Sequence, residues 1–77
     1  MVKVYTIQSC PWCEKVKKYL ASRGVNFTAF DVEKDAAARY ACIKLTGMDG
    51  AVPVVTADDK TYVLDFDKEQ IDKLLGI

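Results

Sequence analysis

Val2-Lys3-Val4-Tyr5-Thr6-Ile7 runs through Gln8-Ser9 into Cys10-Pro11-Trp12-Cys13, and this junction decides the fold. The first six residues are β-branched and aromatic-rich with partial alternation, so they read as a strand that stops at Gln8-Ser9. From Pro11 to Arg23 the period becomes helical. Cys13, Val16 and Leu20 share one stripe, Lys15, Lys17 and Lys18 lie elsewhere, and Gly24 stands as a C-terminal cap. A cysteine pair therefore opens a helix directly after a strand.

Downstream, Val25 to Val32 reads as a second strand carrying Val25, Phe27, Ala29 and Phe30. Asp35 is placed to cap a helix from Ala36 to about Thr46, which starts on an alanine run, presents Ala37, Ala41 and Leu45 as its inner stripe and ends at Gly47. Met48-Asp49-Gly50-Ala51 is loop. Val52-Pro53-Val54-Val55-Thr56 and Lys60-Thr61-Tyr62-Val63-Leu64 flank Ala57-Asp58-Asp59, the pattern of an antiparallel hairpin. Phe66 to Leu75 supplies a last helix that buries Ile71, Leu74 and Leu75. The order β-α-β-α-β-β-α, with a right-handed parallel crossover first, gives an α/β domain with a mixed four-stranded sheet flanked by helices.

The chain has 77 residues, enough for one domain from 1 to 77 and a simple core. Eleven acidic and eleven basic residues balance, and about half of the residues are apolar, which excludes a disordered chain and a basic nucleic-acid surface. No segment is apolar for long enough to span a membrane. Met1 leads straight into the first strand without a cationic leader or apolar signal core, so no export signal is expected. Three cysteines, two of them closely spaced, are no disulfide framework of a secreted domain. A cytoplasmic monomer is expected.

Cysteines three positions apart in the first turn of a helix have α-carbons roughly 5–6 Å apart, a separation that a disulfide accepts. Cys10 falls at the helix N-terminus, where unpaired backbone N–H groups and the positive end of the dipole favour a thiolate. Pro11 suits the first helical position because its φ is already helical and its missing N–H has no partner there. With no histidine in the chain, a Cys-His hydrolase is excluded. Redox exchange remains: Cys10 attacks a substrate disulfide, and Cys13 resolves the mixed disulfide. Half a zinc site is the alternative, but a closed site needs four ligands and only Cys42 is left. An iron–sulfur carrier and a binding module with incidental cysteines are the other readings.

Val4-Tyr5-Thr6, Cys10-Pro11-Trp12-Cys13, Gly24-Val25 and Val52-Pro53-Val54-Val55 together resemble the glutaredoxins and the glutaredoxin-like redoxins that donate electrons to ribonucleotide reductase. The resemblance covers nearly the whole chain and implies a thioredoxin-like fold. Proline opening a strand can simply mark an edge. The resemblance instead implies a cis bond between Val52 and Pro53, with the Val52 backbone pairing with the substrate chain beside the cysteines. It also implies that Trp12 is partly exposed and packs against the partner, where the residues alone allow a core tryptophan. Tyr5 either flanks the site or packs in the core.

Two departures bear on the electron donor. Glutaredoxins carry a basic residue three positions before the first cysteine, where it meets a glutathione carboxylate, and Ile7 stands there. They carry Gly-Gly near the last helix, where this chain reads Val63-Leu64-Asp65-Phe66-Asp67. The redoxins reduced by thioredoxin reductase show Ser-Gly-Phe there, of which Phe66 alone matches. Asp65 and Phe66 are thus expected to contact glutathione or a partner. No cofactor is implied, glutathione being a co-substrate at most. The expected partners are disulfide-bearing proteins, with thioredoxin reductase favoured over glutathione as the reductant.

Overall fold

The computed structural model describes residues 2–77. Seven elements follow one another: β1 (Val2–Thr6), α1 (Pro11–Ser22), β2 (Phe27–Asp31), α2 (Ala36–Thr46), β3 (Val54–Thr56), β4 (Val63–Leu64) and α3 (Lys68–Leu75). They build a four-stranded sheet in the order β2-β1-β3-β4. β1 and β2 are parallel, with Val4 opposite Ala29, and β1–β3 and β3–β4 are antiparallel, with Val4 opposite Val55 and Val55 opposite Val63. No helix among the described residues is long and apolar enough to cross a membrane.

Strand alternation divides the core into two layers. Val4, Val55 and Val63 meet Val16 and Leu20 of α1 and Ile71 of α3 on one face. Tyr5 and Val54, one step along their strands, meet Val32 and the α2 residues Ala38 and Cys42 on the other. The stripe expected at Ala37, Ala41 and Leu45 is therefore displaced by one position. Ala37 and Ala41 are exposed, Leu45 is half-buried, and Ala38 and Cys42 face the sheet. A run of alanines has almost no hydrophobic contrast, so the docking face was set by the sheet rather than by the helix's own pattern.

Element ends differ for local reasons. Val25 does not open β2, because its N–H closes α1 by donating to Leu20 O (3.0 Å), while Gly24 takes φ +70°. The hairpin turn is wider than Ala57-Asp58-Asp59. The buried Thr56 hydroxyl accepts from Asp59 N and donates to Thr61 O, and Asp58 accepts from the N–H groups of Lys60 and Thr61. Side chains thus satisfy backbone groups that a longer ladder would have used. α3 starts at Lys68 because Asp67 caps it through Gln70 N, after Asp65 turns the chain at φ +59°.

Candidate active site

The loop after β1 delivers Cys10 to the N-cap of α1, with φ −115° and ψ 107°, and Pro11 follows at the first helical position. The side chain of an N-cap residue accepts an orphan N–H of the first turn. Here the acceptor is sulfur: Cys10 Sγ takes the amide N–H of Cys13 at 3.2 Å. Glu14 N, in turn, donates to Cys10 O at 3.2 Å. Cys10 is half-buried and Cys13 is 0% exposed, one turn inside the helix, and both are free thiols. Burial pushes the Cys13 thiol up, and hydrogen bonding to Cys10 adds to this, while contacts with Thr6 and the Ile7 backbone oppose it. The pair is a partly exposed cysteine next to a buried one whose thiol is favoured in its protonated form.

Trp12 points outward. The residue is 54% exposed, with Lys15 Nζ 4.3 Å from the ring centroid, and it shares a shallow pocket of about 370 Å³ with Asp65 and Phe66. Phe66 is fixed by an edge contact with Tyr19, centroids 5.9 Å apart. The Val52–Pro53 bond is cis, and Pro53 O accepts from Asp65 N at 3.1 Å, which ties the turn before α3 to the start of β3. Trp12, Asp65 and Phe66 are thus brought together. Tyr5 is not: at 3% exposure it stacks on Phe30 at 5.7 Å in the α2 layer. Its expected place beside the site gives way to the other alternative, a core aromatic. Cys42 is also in that layer, with Sγ directed at Ala51 O (3.7 Å), and does not join the pair.

A second depression, of about 270 Å³, was not anticipated. Ile7 and Val52 line it with Val32, Glu33, Arg39 and Asp49. Arg39 Nε donates to Asp49 Oδ1 at 3.0 Å and Nη2 donates to Oδ2, a two-pronged ion pair that holds the Asp49 carboxyl below the usual carboxylate range. Ten positions separate the two residues, so no helical or strand periodicity in the sequence announces the pair.

A family model described as glutaredoxin matches residues 2–62. An uncharacterized glutaredoxin-like 8.6 kDa protein in the rubredoxin operon of Clostridium pasteurianum is 37% identical over 75 residues, spanning 97% of each chain. Glutaredoxin 3 of Escherichia coli K12 is 35% identical over 71 residues, 83% of this chain and 84% of that protein. The crystal structure of the thioredoxin-like protein BC3987 matches with a TM-score of 0.84 at 35% identity, covering 96% of this chain and 99% of that one. With the thioredoxin-like fold and the Cys10–Cys13 pair in place, the chain belongs to the glutaredoxin family of thiol–disulfide oxidoreductases.

Proposed function

We propose that the protein is a cytoplasmic dithiol reductase of protein disulfides in which Cys10 is the nucleophile and Cys13 the resolving thiol. The observation that carries this reading is the asymmetry of the pair: a half-buried Cys10 whose Sγ accepts the Cys13 amide N–H, and a fully buried Cys13. The Cys10 thiolate attacks one sulfur of a substrate disulfide, forming a mixed disulfide and expelling a thiolate that takes up a proton. Cys13 then gives its proton to the second departing sulfur as it attacks Cys10 Sγ, closing the Cys10–Cys13 disulfide. The substrate gains two electrons and two protons. Trp12 and Phe66 offer an apolar surface to the incoming chain, Pro11 stiffens the loop, and the Val52 backbone before Pro53 pairs with the chain in an extended arrangement.

The electron source we favour is a thioredoxin reductase-type flavoprotein rather than glutathione, and the acceptor is a disulfide enzyme such as ribonucleotide reductase. Three features support this choice of donor. Ile7 offers no cation, Asp65 carries a side chain where close approach favours glycine, and Arg39 is engaged by Asp49. The test supplies oxidised protein with NADPH plus thioredoxin reductase, or with glutathione, glutathione reductase and NADPH. Faster reduction by the flavoprotein is expected, and equal or faster reduction by glutathione overturns the choice of donor.

A further inference from the structure

The depression beside Val52 has apolar walls from Ile7 and Val32, and its charged lining is one guanidinium and two carboxylates, Arg39 against Glu33 and Asp49. A guanidinium fork matches a carboxylate in geometry and charge, so an unpartnered Arg39 here would take the carboxylate of a small disulfide lying along Val52. That fork is already filled on both prongs by Asp49, a residue of the loop that leads into Val52. Glu33 lines the same depression, and so adds repulsion toward an anion. Both members of the pair are more than half exposed, so the contact is weak and can be displaced at a modest cost.

We propose that Asp49 is a specificity-determining residue, an internal carboxylate that occupies Arg39 and so biases the site against carboxylate-bearing small disulfides. This inference rests on the dithiol reading above. It names which substrates the same site disfavours and why, and it locates the control outside the cysteine motif.

The experiment mixes pre-reduced protein with glutathione disulfide or with neutral bis(2-hydroxyethyl) disulfide. In each case the protein dithiol becomes the Cys10–Cys13 disulfide and the probe becomes two thiols, so no reductase enters. Oxidation is followed by quenching, alkylation and intact mass, and the readout is the ratio of the two second-order rate constants. Asp49→Asn and Asp49→Ala should each raise the ratio of glutathione disulfide to the neutral probe about three- to fivefold, the range an exposed charge pair commands at low salt. The gain should shrink at high salt and disappear in Arg39→Gln/Asp49→Asn. A ratio unmoved in both Asp49 variants, or a gain that survives loss of Arg39, overturns the assignment while leaving the dithiol chemistry intact. A wild-type protein that oxidises with neither probe overturns both.

Discussion

Replacing Ile71 with alanine tests how the last helix is held and, through it, how the Trp12 pocket is formed. α3 has eight residues, too few to be helical alone in water, so its attachment depends on side chains that reach the sheet. Ile71 is its one fully buried residue, packed in the layer of Val4, Val16, Leu20, Val55 and Val63, whereas Leu74 and Leu75 are half-buried. Removing its outer carbons from a layer built by three strands and α1 leaves little room for collapse. The expected loss is about 3–4 kcal/mol, in the middle of the range for such truncations. A domain of this size holds only about 4–12 kcal/mol in all, and with an unfolding entropy of about 2.1 cal/mol/K per residue the loss corresponds to a fall of roughly 18–25 °C in Tm. Urea unfolding followed by far-UV circular dichroism and by Trp12 fluorescence measures it. Leu74→Ala should cost less than half as much. A loss below about 1 kcal/mol for Ile71→Ala, or equal losses in the two variants, refutes the reasoning.

Three other outcomes follow from single observations. Asp35→Ala removes the cap that accepts Ala37 N and Ala38 N and should cost about 1 kcal/mol by chemical denaturation, with helix content falling before the sheet is lost. Asp65→Gly puts glycine at φ +59° and keeps the N–H that donates to Pro53, so Tm should rise by about 2–4 °C, and a fall would contradict the strain argument. Burial pushes both the Cys13 and the Cys42 thiol up, which favours their protonated forms in the fold. The resulting stability is present in full below the unfolded thiol pKa of about 8.5 and is lost as pH rises past it, by at most about 1.4 kcal/mol per pH unit per thiol. Urea midpoints of the reduced protein should therefore be flat from pH 6 to 8 and fall above that, less steeply in Cys42→Ala.

Much of this molecule was legible because its decisive features are local. A cysteine pair with proline between strand and helix fixes the crossover, the cap and the redox pair within a dozen residues, and Cys13, Val16 and Leu20 name the buried face of α1. What was hidden depends on partners distant in the chain. The face of α2 could not be read from Ala36-Ala37-Ala38, because alanine carries too little contrast to choose between neighbouring stripes. Tyr5 could be assigned to the core only once Phe30 lay beside it. The hydrogen bonds to Asp59 N and Thr61 O that widen the hairpin turn come from the hydroxyl of Thr56, a β-branched residue that reads as part of the strand. Arg39 and Asp49 meet across a loop, and no spacing rule predicts that contact.

The most direct test of the central claim is the fate of Cys10 in a protein unable to resolve. Cys13→Ser and Cys10→Ser proteins, pre-reduced and mixed with a disulfide-bearing protein substrate, are quenched in acid, and their intact masses are read with peptide mapping of the adduct. A stable mixed disulfide on Cys10 is expected in the Cys13→Ser protein, and neither adduct nor turnover in the Cys10→Ser protein. Sustained turnover without Cys10, or an adduct carried by Cys13, would contradict the claim.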